Sequence, residues 1–313
     1  MKKAFAIFTC VLGLAAPGAV LGQGPAYPVK PIRVVVPYAP GGTTDLTARL
    51  VGQKMQEAMK QNVIVDNRPG AGGVIGADIV AKAPADGYTL VLSTPAEIAI
   101  LPHLQKMPYN AERDLVPVSL AALTPLILIV HPSLPARNVK EFVAIAKSRP
   151  GQLTYASAGS GGVQHLAGEL LKITMKIDLL HVPYKGAGPV MSDLLGGHVA
   201  SFFSGMPPAM PLVKAGKLRA LAVTTTKRSP AALEVPTLAE SGVPGFDISN
   251  WFAYFVPAGT PAAVIERLTA EINRGLKLPD VRERLASAGA EAVGTTPEEL
   301  AKFVRAESEV FVN

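Results

Sequence analysis

Two glycine-containing turns carry the residue types that could bind an anion. The first turn, at 38–45, follows the apolar β-branched run at 32–36 and precedes an apolar-periodic segment. The second turn, at 157–162, has neighbours of the same kind. A strand followed by a glycine turn and a helix start leaves backbone N–H groups free at the positive end of a helix dipole. The pair of turns therefore predicts an anion site, although the first turn alone would equally fit an ordinary strand-to-helix connection.

The side chains of the two turns strengthen this prediction. Thr43, Thr44 and Asp45 are residue types that commonly cap a helix N-terminus. Ser157 and Ser160 add hydroxyl donors to the N–H groups of the helix that follows the second turn. Hydroxyl and backbone donors of this kind suit a carboxylate.

Ser160 also allows an enzymatic interpretation. Its surroundings half-match the G-x-S-x-G elbow of α/β hydrolases, with Ala158 in place of the first glycine. His165 is too close in the chain to be the distant histidine of a catalytic triad, and the later histidines lack an evident acid partner. A secreted α/β hydrolase that uses Ser160 stays open as the alternative to an anion-binding protein.

Neither metal nor nucleotide chemistry is indicated. The histidines have no metal-ligand spacing; His165 is expected to line a cleft, His181 to lie in the core or behind the site, and His103, His131 and His198 to lie at the surface. The glycines at 70–76 follow a G-x-G-x-x-x-G spacing that differs from the dinucleotide fingerprint, and a turn alone explains them. No cofactor is expected.

Composition indicates a globular, exported protein. The chain has 313 residues, of which 49% are hydrophobic and 17% charged. Residues 1–22 have the pattern of a signal peptide, with two lysines before an apolar core at 4–16 and cleavage expected after Gly22; an uncleaved anchor is the alternative. The only cysteine, Cys10, lies inside this core. Removing the two lysines changes the formal charge from +6 to 6 − 2 = +4, which is too small and too dispersed for a nucleic-acid partner.

Strands alternate with helices along the chain, which predicts βαβ units and a parallel sheet. The pattern starts again after Val130, so two α/β halves are expected. If the last helices pack on the first half, two strands cross between the halves, near 120–126 and 248–251, and form a hinge. The expected strands are at 32–36, 62–66, 88–92, 126–130, 153–156, 179–184, 199–203, 218–224 and 251–256. Helices are expected at 75–83, 139–147, 190–195, 262–276, 280–288 and 297–310. One more helix is expected after each of the two glycine turns. The first would have an apolar face of Leu46, Leu50, Val51 and Met55, and the second one of Leu166, Leu170 and Ile173.

Nine short stretches match a known family in their order and spacing. They are YAPGG with Asp45 (38–45), NRPGAGG (67–73), DGYTL (86–90), YASAG (155–159), HLAGE (165–169), HVPYKG (181–186), AGKLRALAV (215–223), VPTLAE (235–240) and PAGTP (257–261). Through them the chain resembles the receptors of the tripartite tricarboxylate transporter family, the Bug-type periplasmic solute-binding proteins.

The resemblance implies an α/β, two-domain periplasmic-binding-protein (Venus-flytrap) fold with two crossing hinge strands. The restart of the pattern after Val130 predicts that domain 1 comprises 24–123 with 250–313 and that domain 2 comprises 124–249. The resemblance also implies a monomeric periplasmic receptor, not an enzyme, that captures a small organic carboxylate between the domains. The receptor would deliver that ligand to a membrane permease, or present it to a sensor kinase from the same cleft.

The resemblance also implies which residues bind the ligand, because the two turns face each other in that family. The acidic residue that the family often has soon after the strand at 199–203 is absent here, with Ala200 and Ser204 at the corresponding places, which favours plain carboxylates over amino acids. Lys185 is the alternative main partner of the anion. The expected ligand-binding residues are Tyr38, Pro40, Gly41, Gly42, Thr43, Thr44, Asp45, Ser93, Thr94, Ser157, Gly159, Ser160, Gly161, Gly162, Gln164, His165, Tyr184, Lys185, Gly186 and Ser204.

Overall fold

The computed structural model describes residues 27–310, so the predicted signal peptide and its cleavage site lie outside the described residues. The strands are β1 (Ile32–Val36), β2 (Val63–Asn67), β3 (Thr89–Ser93), β4 (Leu115–Val130), β5 (Thr154–Ser157), β6 (Leu180–Pro183), β7 (Ser201–Gly205), β8 (Arg219–Val223), β9 (Ser249–Pro257) and β10 (Glu291–Ala292). The helices are α1 (Thr43–Met59), α2 (Val74–Ala81), α3 (Leu101–Leu104), α4 (Ala111–Asp114), α5 (Val139–Ser148), α6 (Val163–Met175), α7 (Ala187–Leu195), α8 (Met206–Lys214), α9 (Ala262–Lys277), α10 (Pro279–Ser287) and α11 (Pro297–Val310).

The strands form two α/β halves that share two long strands. Their order is β2-β1-β3-β9-β4-β7-β5-β6, and β8 and β10 also pair with β4. In the first half β1 runs parallel to β2 and β3, and in the second half β5 runs parallel to β6 and β7. The predicted parallel strands in each half are therefore confirmed.

β4 and β9 connect the halves. β4 pairs with β9 from Leu115 to Pro125, and from Leu126 onward it pairs with β7 and β8 of the second half. Thr224 joins both crossings, because its Oγ1 accepts from the Leu126 N–H at 3.0 Å and donates to the Ile248 carbonyl. The connection between the halves thus consists of two neighbouring chain segments held by one threonine.

The last helices pack against the first half. Leu268 and Ile272 of α9 and Leu285 of α10 are buried in the same core cluster as β1 and α1, and Leu300 of α11 is buried with α2. The second half has its own core clusters, centred on residues such as Phe142 and Phe202. The exact domain limits, at 123/124 and 249/250, stay a prediction.

The two predicted helix faces are each wrong at one residue, whereas Val51 and Met55 of α1 are buried and Leu50, Leu166 and Leu170 pack against the core. Leu46 is 40% exposed and Ile173 is 73% exposed, whereas the buried residues of α6 are Val163, Ala167, Gly168 and Leu171. The predicted face lies along the flank of α6. The helix can lie close to the sheet because Ala167 and Gly168 on its buried side are small. The N-cap of α1 is Gly42, so the residues predicted as cap types, 43–45, form the first turn of the helix instead.

Gly168 sets the distance between α6 and β5. A Cβ atom on Gly168 would lie 2.2 Å from Cε2 of Tyr155, a fully buried side chain of β5. Because α6 begins immediately after the second glycine turn, this close packing also fixes where that turn lies.

We expect Gly168→Ala to lower the free energy of unfolding by about 1–3 kcal/mol, because it overpacks the contact with Tyr155. Gly275→Ala is the matched control: it is also helical, and its Cβ would lie 3.1 Å from Cβ of Lys54, a much milder contact than the 2.2 Å at Gly168. The control should stay within about 1 kcal/mol of the wild type. Urea unfolding measures both, and equal stability of the two variants would contradict this packing.

Candidate functional site

A small enclosed cavity lies between the two halves of the molecule. Its volume is about 30 Å³, which is room for one or two water molecules, so the halves are nearly closed on each other. Most of its walls come from the starts of helices. The lining residues are Tyr38, Ala39, Gly42, Thr43, Thr44, Asp45, Thr94, Ala158, Val163, Gln164, Ala187, Gly205, Asn250 and Phe252.

Helices from both halves start at this cavity. α1 contributes its first residues Thr43 and Thr44, and α6 contributes Val163 and Gln164. The first turn of a helix has no internal acceptors for its N–H groups, and within residues 27–310 these four backbone N–H groups have no protein acceptor. α7 starts at Ala187, on the wall, and α8 starts directly after Gly205. Four helix N-termini therefore give the cavity a positive potential and free donors.

The rim of the cavity is closed by backbone contacts. The Ala39 N–H donates to the Lys185 carbonyl at 2.9 Å, across the two halves. A Cβ on Gly188 would come within 2.0 Å of the Pro40 carbonyl oxygen. Only glycine fits at such a contact. On the opposite side, a Cβ on Gly159 would come within 3.0 Å of the Gly72 Cα atom.

Asp45 braces the first turn. Its carboxylate accepts from the Gly41 N–H at 3.1 Å and from Asn67 Nδ2 at 3.1 Å, and it forms an ion pair with Arg49 at 2.9 Å. Gly41 has φ +88°, a conformation that suits glycine. Because both oxygens of Asp45 are occupied, this carboxylate holds the helix start in place and its charge is compensated.

Tyr38 and Thr94 form the wall beside a buried acid. Both hydroxyls bond to Oε2 of Glu97, at 2.9 and 2.8 Å, and the Thr94 N–H donates to Oε1 at 2.8 Å. Glu97 is fully buried. Burial raises the pKa of Glu97 to about 7, although these hydrogen bonds act in the opposite direction. Burial and the neighbouring Glu97 also raise the pKa of Tyr38.

A second polar cluster lies behind the serine-glycine turn. Ser157 Oγ lies 2.7 Å from His181 Nε2, and the His181 ring stacks on His165 with a centroid distance of 4.1 Å. Tyr155 donates to Glu169 at the edge of the same cluster. Burial and then the neighbouring His165 lower the pKa of His181 to about 4, so the His181 ring is neutral near pH 7. Burial also lowers the pKa of His165.

The surroundings of Ser157 and Ser160 do not form a hydrolase active site. Ser157 has a histidine partner but is completely buried, so no substrate reaches its hydroxyl. Ser160, the predicted nucleophile, is exposed at the rim, where its carbonyl would contact a Cβ on Gly72 at 2.9 Å. No histidine is hydrogen-bonded to Ser160 in the described part of the chain.

The predicted ligand-binding residues fall into three groups. Tyr38, Gly42, Thr43, Thr44, Asp45, Thr94 and Gln164 line the cavity. At its rim lie Pro40, Gly41, Gly159, Ser160 and Gly186. The rest lie behind the wall or at the surface. Ser93, Ser157 and Ser204 are buried, Gly162 precedes α6, and His165 stacks on His181 behind the turn and accepts from the Gly161 N–H. Tyr184 donates to Asp193, and Lys185 is exposed.

Seven lining residues are absent from the predicted set. Ala39, Ala158 and Val163 lie in or next to the two predicted turns, whereas Ala187, Gly205, Asn250 and Phe252 lie elsewhere in the chain. Asn250 is 4% exposed, and its Oδ1 has no hydrogen-bond partner in residues 27–310. The only signal was a polar residue directly before an apolar strand, at the predicted crossing. No described helix is long and apolar enough to cross a membrane, and residues 27–310 contain no cluster of three His, Cys, Asp or Glu residues suited to a metal.

Comparison with known proteins gives a consistent family. The model of the tripartite tricarboxylate transporter family receptors matches residues 47–311. The chain is 41% identical to Protein BugT of Bordetella pertussis over 95% of this chain and 91% of that one. It is similar to R. palustris Rpa4515 with adipate (TM-score 0.88, 37% identity, 91% of this chain and 96% of that chain). It is also similar to MatC (Rpa3494) from Rhodopseudomonas palustris with bound malate (TM-score 0.87, 34% identity, 91% and 98%).

The chain therefore belongs to the tripartite tricarboxylate transporter receptor family, whose members are periplasmic solute-binding receptors and not enzymes. Its fold is the two-domain periplasmic-binding-protein fold, so the predicted family, fold class and receptor function are confirmed.

We expect Asp45→Ala to lower the free energy of unfolding by about 1–2 kcal/mol, because the start of α1 loses its buried bracing group. Arg49→Ala removes only the exposed partner of the ion pair and should cost at most about 1 kcal/mol. Urea unfolding of both variants tests the assignment. Equal losses would mean that the ion pair, and not the N–H acceptor role, is what Asp45 contributes.

Stability should also depend on pH through Glu97. Its folded pKa is raised from 4.5 to about 7, so its contribution is complete below about pH 4.5 and is lost as pH rises through about 7. Glu97→Gln cannot titrate, so its unfolding free energy relative to the wild type should rise by about 3 kcal/mol between about pH 5 and pH 8.

Glu283→Gln, an exposed substitution on α10, is the control and should follow the wild type. Chemical denaturation at several pH values gives the three curves. Parallel curves for Glu97→Gln and the wild type would show that Glu97 has the same charge in the folded and unfolded chain.

Proposed function

We propose that this receptor captures a small organic carboxylate in the cavity between its domains and holds it mainly by backbone N–H groups. The observation that carries the proposal is the meeting of helix N-termini from both halves, with the N–H groups of Thr43, Thr44, Val163 and Gln164 unpaired. A carboxylate accepts such hydrogen bonds, and each bond to a charged acceptor contributes roughly 1.5–3 kcal/mol. The present closed cavity is too small for such a ligand, so binding requires the domains to open first.

The charges around the cavity support a plain carboxylate over an amino acid. Asp45 is compensated by Arg49, and Glu97 is bonded to Tyr38 and Thr94, so neither is free to receive a ligand ammonium group. Adipate and malate, the ligands named for two similar structures, are both dicarboxylates. We therefore take adipate and malate as the first probes.

The partner and location follow from the same proposal. We propose that the mature chain acts as a monomer in the periplasm and delivers its ligand to the membrane permease of a tripartite transporter, which the family description supports. A sensor kinase would read the same closed form. The permease is preferred here because no feature of the described residues favours a sensor.

Binding should depend on the helix starts and not on Lys185. A Cβ on Gly42 would already meet Cβ of Ala187 at 3.3 Å, and Gly42 has φ −85°, which valine tolerates. Gly42→Val should therefore fold normally but prevent closure over the ligand, with a loss of at least about a hundredfold in affinity for adipate or malate. Lys185→Ala is the matched control, because this exposed side chain should change affinity less than about threefold.

Titration calorimetry gives both affinities, and thermal melting checks that Gly42→Val is folded. If Lys185→Ala abolishes binding while Gly42→Val leaves it intact, the anion is held by the lysine, and the proposed backbone site is wrong.

A further inference from the structure

The carboxyl group of Glu97 lies behind the wall of the cavity, and a single layer of hydroxyl groups separates the two. Thr94 and Tyr38 line the cavity, and their hydroxyl oxygens lie 2.9 Å from each other and 2.8 and 2.9 Å from Glu97 Oε2. The Thr94 N–H occupies the other carboxyl oxygen, Oε1, at 2.8 Å. Oε2 and the two hydroxyls therefore form a closed triangle of oxygen atoms that faces the ligand site.

The number of hydrogens in this triangle depends on the charge of Glu97. When Glu97 is ionised it only accepts, so both hydroxyl hydrogens point at Oε2 and neither is available to the cavity. The Gly72 carbonyl, 3.1 Å from the Tyr38 hydroxyl, then has no hydrogen from Tyr38. An ionised Glu97 therefore leaves the wall without a hydroxyl donor towards the ligand.

A neutral Glu97 reverses these directions. Its acid hydrogen, carried on Oε2, is donated to the Tyr38 oxygen, and the Tyr38 hydrogen turns to the Gly72 carbonyl. The Thr94 hydrogen is then free to turn into the cavity that Thr94 lines. A single proton on Glu97 therefore supplies one additional donor to the ligand site and removes one negative charge behind it.

We propose that Glu97 is a proton-binding site coupled to the anion site, so that the receptor takes up a proton at Glu97 when it captures a carboxylate. This coupling rests on the carboxylate function proposed above. A ligand oxygen that accepts from Thr94 would lie at most about 5.5 Å from Oε2, the sum of two hydrogen-bond lengths. Two carboxylates that share a closed site favour protonation of one of them.

The surroundings of Glu97 contain no charge that would compensate its ionised form. In the described part of the chain, no Lys, Arg or His pairs with it, and burial raises its pKa to about 7 against the opposing effect of its hydrogen bonds. The other ionisable groups on the elements around it all have partners other than the Glu97 carboxyl group. They are Tyr109, which donates to the Glu97 backbone carbonyl, Asp78 paired with Lys82, Arg113 paired with Asp114, His103 bonded to Ser308, and Glu307 bonded to the Trp251 indole N–H.

Glu97→Gln is the sharpest test, because its amide reproduces the neutral acid. The amide oxygen accepts from the Thr94 N–H, and the amide NH₂ donates where the acid hydrogen would be. We expect calorimetry with adipate or malate at about pH 8, repeated in two buffers of different protonation enthalpy, to show uptake of close to one proton by the wild type and none by Glu97→Gln. Wild-type affinity should fall by close to tenfold per pH unit above about pH 8, while the affinity of Glu97→Gln stays constant.

Glu283→Gln is the matched control and should take up the same number of protons as the wild type. Binding without proton uptake by the wild type, or undiminished uptake by Glu97→Gln, would overturn the coupling while leaving the carboxylate function intact. Failure of the wild type to bind either acid would instead contradict the carboxylate function itself.

A measurement without ligand tests the proton site separately. The infrared carbonyl band of a neutral carboxylic acid should be present in the wild type at about pH 6 and disappear in Glu97→Gln, although exposed carboxylates are ionised there. Absence of this band in the wild type would show that Glu97 is ionised at about pH 6 without ligand, and it would contradict the premise that burial favours its neutral form.

Discussion

Unpaired backbone N–H groups at helix starts are the interaction on which the rest of this structure depends. The first turn of every helix lacks internal acceptors, and here α1 and α6 direct theirs to one cavity while α7 and α8 begin beside it. Among residues 27–310, no lysine or arginine side chain lines that cavity. The receptor thus recognises negative charge through the main chain, and the side chains, such as Asp45 and Glu97, position the donors around it.

The closed arrangement of the domains depends on the small size of the residues at the rim. Gly188 lies against the Pro40 carbonyl, and the Ala39 N–H bonds to the Lys185 carbonyl, so main chain meets main chain across the cleft. At the other end, Thr224 holds the two crossing segments together. A few contacts at the rim and a short hinge are what a domain movement requires, because few interactions must break when the cleft opens.

Much of the fold could be predicted because it follows from local sequence patterns. The β-branched run of β1, the glycine turns and the restart of the βαβ pattern after Val130 gave the parallel strands of both halves. Other features depended on tertiary packing. α8 was missed because it contains Pro207, Pro208 and Pro211. Pro207 and Pro208 lie in the first turn, where a proline costs no hydrogen bond, whereas Pro211 lies inside the helix.

In the candidate site, too, the features with a local sequence pattern could be predicted and those that depend on tertiary packing could not. The starts of α1 and α6 were visible as glycine turns, whereas Asn250 and Glu97 were not, since each is a single polar residue beside an apolar run. A sequence does not reveal that such a residue is buried behind the wall of a cavity. The burial of Ser157 and the exposure of Ser160 could not be predicted either, because the conformation of the turn decides which hydroxyl is buried and which is exposed.

The most direct measurement of the central claim is the response of the backbone amides to a carboxylate. In a nitrogen-15 NMR titration with adipate or malate, amide protons that donate to a negative charge shift strongly downfield. We predict the largest downfield shifts at Thr43, Thr44, Val163 and Gln164, in both domains together. Saturable binding that leaves these four amides unshifted would contradict the account.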